Sequence, residues 1–171
     1  DKVLTISVTN VDEAPVITEG ASVTVAMDED STPTVFALTL HATDPDGDTL
    51  SWGISSAAGQ GTASAGGTGL TKVIGYTPNA NVNGTDRFVV QVVDGNGGTD
   101  TITVNVSIAA VNDIPAFRKG SDQVVPRNAG LQQVNNWATG ISTGASNEAQ
   151  ELTFRVTGNT NPTLFAVAPD I

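Results

Sequence analysis

The stretch Val111-Asn112-Asp113-Ile114-Pro115 has a near-copy one hundred residues upstream, Val11-Asp12-Glu13-Ala14-Pro15. The segments leading into the two copies match as well, with Leu4, Ile6 and Val8 in the places of Val104, Val106 and Ile108. A repeat of about one hundred residues is the size of one β-sandwich domain, and it constrains this chain more than any single motif does. The spacing therefore predicts an all-β chain of tandem sandwich repeats. Residues 1–10 read as the last strand of a preceding repeat, 11–111 as one complete unit, and 112–171 as the first part of a following one.

Composition agrees with strands and turns. Gly, Thr, Ser, Asn and Asp abound while Lys and Glu are scarce, which disfavours helices. The net charge is −11, from 18 acidic and 7 basic residues. Nucleic acids and anionic membranes attract basic surfaces, so neither is an expected partner. Divalent cations fit, as does a solvated, self-repelling surface. There is no cysteine, so such a fold is held by its core and by any metal it binds. No apolar run approaches the roughly 18 residues of a membrane span, and no signal peptide is recognised.

Along the complete unit, short alternating runs are separated by turn signals, the pattern of an Ig-like sandwich. Lys2–Val8 alternates, then Pro15 ends a short, stiff linker. Val23–Val25, Val35–Ala42, Leu50–Ile54, Val73–Thr77, Phe88–Val92 and Ile102–Ile108 follow as strands. The hairpin around Asp94-Gly95 is the clearest, because long alternating runs flank a turn dipeptide. Residues 57–69 are rich in Gly, Ala and Ser and read as a loop or a weak hairpin. In the third segment, Val124-Val125, Leu152–Val156 and Leu164-Phe165 repeat the plan less closely.

Candidate oxygen ligands concentrate at element ends: Asn10, Asp12 and Glu13; Asp28, Glu29 and Asp30; Asp44, Asp46 and Asp48; Asp94; Asn112 and Asp113. A strand of six or seven residues carries the chain about 20 Å, from one end of a sandwich to the other. Counting strands puts Asp44–Asp48 and Asp94 at the end where the linker at 10–13 arrives, and Asp28–Asp30 at the end near 112–113. Crowded carboxylates repel unless a cation lies between them. The competing reading is that Asp-Pro-Asp-Gly and Asp-Gly-Asn-Gly are simply turns, with Asp48 the plainest turn residue. A helix–loop–helix calcium loop is excluded, since no glutamate follows at its twelfth position.

These residues resemble the bacterial cadherin-like, Ig-like repeats of giant calcium-dependent surface adhesins of the repeats-in-toxin type. The resemblance is carried by Val111–Pro115, Glu29-Asp30, Ala42–Asp48, Tyr76-Thr77-Pro78, Gly84–Phe88 and Val93-Asp94-Gly95. It implies calcium at the junctions, with Asn10 and Asp12 as linker ligands, Glu29 as the base glutamate, Asp44 and Asp46 as an acidic pair, Asp94 in the top hairpin, and Asn112 and Asp113 as the next linker. Glu13 and Asp30 complete the acidic sets. The Asp-Arg-Glu motif of cadherins is missing, which implies fewer ions per junction.

Catalysis finds little support. With one histidine, His41, and no cysteine, neither a thiol nucleophile nor a His-rich metal site can be assembled. His41 reads as a solvent-facing strand residue, and Trp52 and Trp137 as core aromatics. The chain is thus expected to be a non-enzymatic, calcium-rigidified extender of a secreted or cell-surface bacterial adhesin. Its partners would be neighbouring repeats and possible surface glycans, without membrane insertion. The rival reading is a polysaccharide-binding or self-associating module; a weaker third is an accessory domain of a secreted hydrolase.

Overall fold

The structure, a computed structural model, describes residues 3–31, 33–164 and 167. The chain divides into two compact units, Asp1–Val111 and Asn112–Ile171.

In the first unit, strands β1 (Val16–Ile17), β2 (Ser22–Asp28), β3 (Leu38–Thr43), β4 (Ser51–Ser56), β5 (Gly61–Ser64), β6 (Gly67–Thr68), β7 (Thr71–Pro78), β8 (Gly84–Val93) and β9 (Thr99–Ala109) form two sheets. One has the order β1-β3-β7-β5 and the other β2-β9-β8-β4-β6. Period-two alternation explains why these runs are strands. Phe88, Val90 and Val92 of β8 and Ile102, Val104, Val106 and Ile108 of β9 all point inward. They meet Leu40, Ala42, Ile74, Tyr76, Trp52 and Met27 from the other strands. Each large side chain buried this way contributes about 1.5–3 kcal/mol. The aromatic centre is Tyr76 stacked on Phe88 at 5.7 Å between ring centroids, with Phe36 tilted against both.

The β8–β9 hairpin runs in unbroken antiparallel register from Gly84↔Ile108 to Val93↔Thr99. Strand β2 pairs with β9 in parallel, from Ser22↔Thr103 to Asp28↔Ala109. Two ends follow from this register. The linker end holds the β3–β4 loop and the β8–β9 turn; the opposite end holds the close of β2, the start of β8 and the chain leaving β9.

Residues 57–69 do more than loop. β5 joins the sheet of β7 and β6 joins that of β4, so the segment crosses between sheets. One of its glycines is a packing requirement: a Cβ on Gly61 would fall 2.6 Å from the Tyr76 ring. At its start, Gly59 and Gln60 donate backbone N–H groups to Asp86, which also accepts the Tyr76 hydroxyl at 2.8 Å. Those donors hold the Asp86 carboxyl below its ordinary value, against the burial that opposes them.

Residues 3–15 form no strand, contrary to the alternation of Lys2–Val8, of which Lys2 lies outside the described residues. Leu4, Ile6 and Val8 are 83%, 76% and 89% exposed. Their counterparts in β9 are buried because β2 and β8 flank them; residues 4–8 have no such neighbours here. Alternation specifies a face, but a strand needs a partner.

The second unit holds β10 (Ala116–Lys119) paired antiparallel with β11 (Ala138–Ser142), and a turn of 3₁₀ helix at Pro162–Leu164. Val124-Val125 and Leu152–Val156 are not strands; Phe165 lies outside the described residues. Phe154 instead meets Phe117 edge-on at 5.1 Å. Trp137 is only half-buried, its Nε1 donating to Ser121 O, whereas Trp52 is a core residue bonded to Gly69 O.

Candidate metal centre

At the linker end, two turns are each folded around an aspartate. Asp44 Oδ1 accepts the N–H groups of Asp46 at 2.9 Å and Asp48 at 3.2 Å, so the alternate acidic residues are wound onto one loop. Asp94 Oδ1 accepts three, from Asn96, Gly97 and Gly98, at 2.7, 3.0 and 3.0 Å. Aspartate is suited to this because its short acceptor reaches the N–H groups that follow it. Asn96 Nδ2 then donates to Asp48 Oδ2 at 2.9 Å, tying one turn to the other.

The linker lies against the first turn through Asp46. Asn10 Nδ2 donates to Asp46 Oδ1, and the Glu13 backbone N–H donates to Oδ2 at 2.8 Å. These donors hold the Asp46 carboxyl below its ordinary value. Glu13 thus acts here through its backbone. Further along, Pro15 is fully buried and the Ile17 N–H donates to Asp100 Oδ2 at 2.7 Å.

This docking sets Asp12 among acids. Carboxylate oxygens of Asp12, Asp46 and Asp48 lie within 4.8 Å of one another. Two ligands on opposite sides of a calcium ion, each at 2.3–2.6 Å, stand about 5 Å apart. Loss of water, then the charges of Asp94, Asp48, Asp46 and Asp44, push the Asp12 carboxyl above its ordinary value. Asp44 Oδ2 and Asp94 Oδ2 are buried with no hydrogen-bond partner, and Asp94 as a whole is 6% exposed. A buried carboxylate oxygen with no donor is costly unless a cation shares it. The set is all oxygen, which suits a hard divalent cation.

At the opposite end the acids are occupied differently. Asp28 Oδ2 accepts the Thr34 N–H at 2.8 Å. Glu29, 4% exposed, accepts the Val111 N–H at 2.9 Å, while its own N–H donates to Ala109 O. Asp30 is exposed. In the second unit, Asn112 Nδ2 donates to the Asp113 carbonyl, and the Asp113 N–H donates to Glu148 Oε1 at 2.6 Å.

Of the expected ligands, Asn10, Asp12, Glu13, Asp44, Asp46 and Asp94 therefore gather around the linker. Glu29 and Asp30 stand at the first unit's other end, and Asn112 and Asp113 belong to the second unit. Asp48, read from the sequence as a turn residue, belongs to the acidic trio. The signal was its spacing: once Asp44 folds the loop, 46 and 48 project together. Asn96 was missed, and only the contact between the two turns reveals it. His41 sits on β3 with its Nδ1 2.7 Å from Glu19 Oε1.

Two packed sheets with turns clustered at each end define an Ig-like module. The Bacterial Ig domain family matches residues 12–107, and the chain belongs to it. Domains of this family are typically non-catalytic and often occur in extracellular or surface proteins. No curated protein matches the sequence. Among solved structures, the chain is similar to an endo-fucoidan hydrolase from glycoside hydrolase family 107, with 18% identity and a TM-score of 0.45. The match covers 60% of this chain and 15% of that one. No helix among the described residues is long and apolar enough to cross a membrane.

Proposed function

We propose that this chain is a piece of a long surface adhesin in which Ig-like repeats act as extenders, and that calcium at the repeat junctions stiffens them. In this reading residues 1–10 close a preceding repeat, 11–111 form one repeat and 112–171 begin the next. The observation that carries the reading is the pair of buried, donorless oxygens, Asp44 Oδ2 and Asp94 Oδ2, beside the linker residue Asp12. A bound calcium supplies the positive charge that this cluster otherwise lacks. Asp46, through Asn10 and Glu13, holds the linker in place, and Asp12 brings the linker's own charge to the turns. Glu29 and Asp30 of the first unit, and Asn112 and Asp113 of the second, are proposed as further calcium ligands, each pair within its own unit.

Extracellular calcium modules bind at about 10⁻⁴–10⁻³ M, so they fill outside the cell and empty inside it. A ligand at a hundredfold its Kd adds about 2.7 kcal/mol of stability. At about 4–8 °C per kcal/mol for a domain of this size, that is a rise in Tm on the order of 10 °C. The test is a thermal melt of the whole chain in excess calcium and in chelator. The rise should vanish when Asp44 and Asp46 are both changed to Asn. Superimposable melts of the wild type would defeat the calcium reading and leave the acids as turn formers.

A further inference from the structure

The turn between β8 and β9 contains three glycines, and they are there for two different reasons. Gly95 and Gly97 have φ of 91° and 126°, and a Cβ on either would meet nothing. They supply backbone angles that other residues rarely adopt. Gly98 has no positive φ. An alanine could adopt its backbone, but there is no room for the methyl group. A Cβ on Gly98 would overlap Asp94 Oδ2 and lie 2.7 Å from Ala14 Cα and 3.1 Å from Ala14 Cβ. The near neighbours are thus one donorless carboxylate oxygen of the proposed site and the backbone of the linker itself.

We propose that Gly98 is a positioning residue: by carrying no side chain it lets the linker backbone at Ala14 close over the Asp94 turn, and so sets Asp12 against the carboxylates of both turns. The inference rests on the calcium reading for its consequence, though the geometry itself is a property of the metal-free chain. Neither obstacle can yield freely. Asp94 is fixed by three N–H groups on its other oxygen. Ala14 lies between Glu13, bonded to Asp46, and the buried Pro15. A methyl group at 98 must therefore move the linker, turn Asp94, or both. Either movement disperses the cluster around Asp12. The core is untouched, because residues 10–14 lie outside it.

The experiment compares the whole wild-type chain with Gly98→Ala and Gly95→Ala. Calcium affinity is measured by titration calorimetry with calcium chloride. Amide hydrogen exchange is followed by NMR in chelator. In the metal-free wild type the Glu13 amide should be protected by Asp46, and Val104 and Val106 should report the core. Gly98→Ala should release the Glu13 amide, keep the core amides protected, and bind calcium about 10–100-fold more weakly, the usual cost of losing a group that orients ligands. Gly95→Ala, strained but unobstructed and not among the donors to Asp94, should melt lower and keep its affinity. Wild-type affinity with a protected Glu13 in Gly98→Ala overturns the inference and leaves the calcium reading standing. Loss of core protection in Gly98→Ala also overturns it, because the glycine would then serve the fold and not the linker. A wild type that binds no calcium defeats the calcium reading; the Glu13 amide alone then decides whether Gly98 positions the linker.

Discussion

The two ends of the first unit are both acidic, yet among its described residues only the linker end buries carboxylate oxygens that no donor reaches. At the end opposite the linker, Asp28, Glu29 and Asp86 accept hydrogen bonds from Thr34, Val111, and from Gly59, Gln60 and Tyr76. At the linker end, one oxygen of Asp44 and one of Asp94 fold the turns, while their second oxygens are buried without a donor. An acidic cluster in a sequence is therefore not one kind of thing. What decides its role is how many of its oxygens the protein's own N–H groups satisfy. Asp86, with both oxygens occupied, holds the fold; the bare oxygens of Asp44 and Asp94 are the ones that the calcium proposal assigns to a cation.

The largest effect expected from this contrast lies with a saturated acid. Asp86→Ala removes an acceptor from the three backbone N–H groups of Gly59, Gln60 and Arg87 and from the Tyr76 hydroxyl, which sits in the aromatic centre of the core. Hydrogen bonds to charged groups contribute about 1.5–3 kcal/mol and orphaned buried donors cost more, so the loss should be roughly 2–4 kcal/mol. Urea unfolding should give the same loss in calcium and in chelator. A loss that calcium repairs would dissolve the distinction between the two classes of acid.

Asp94→Asn sharpens the distinction from the other side. Asparagine keeps a carbonyl oxygen for the N–H groups of Asn96, Gly97 and Gly98 but puts an amide where the donorless oxygen was. In chelator the variant should stay within about 1 kcal/mol of the wild type. In calcium at a hundredfold its Kd, it should lack the roughly 2.7 kcal/mol that the wild type gains. Equal calcium responses would remove Asp94 from the site.

This contrast was half legible in the sequence. The β8–β9 hairpin could be read because long alternating runs flank Asp94-Gly95. The meeting of Asp12 with the two turns followed from counting strands. What stayed hidden depends on partners that no local pattern records. Asp48 looked like a turn residue because its role appears only when Asp44 folds the loop. The Gly/Ala/Ser run at 57–69 looks idle because its one tightly packed glycine, Gly61, answers to Tyr76, distant in sequence. Leu4, Ile6 and Val8 alternate as well as β9 does, but alternation carries no information about whether neighbouring strands are at hand. The same holds for Leu152–Val156 in the second unit, where Phe154 packs on Phe117 without a strand.

The smallest effect separates two carboxylates within the linker cluster itself. Asp46 is held below the ordinary aspartate value of 3.8 by Asn10 and Glu13, so its contribution to stability is present above that value and is lost as pH falls below it. Asp12 is pushed above 3.8 by loss of water and by the surrounding acids. Its folded form binds a proton more readily than its unfolded form, so its contribution is present in acid and is lost as pH rises through the raised value. In chelator, then, wild-type stability should decline with rising pH on the alkaline side of 3.8 by a small amount that Asp12→Asn lacks. The amount is small because Asp12 is exposed and solvent screens its neighbours. Calcium should erase the slope, since a ligating carboxylate must be ionised. A carboxyl-carbon NMR titration reads the group directly. Were Asp12 to titrate at or below 3.8 in the metal-free chain, the acids around it would not be acting on it, and the linker end would differ from the opposite end in its hydrogen bonds alone.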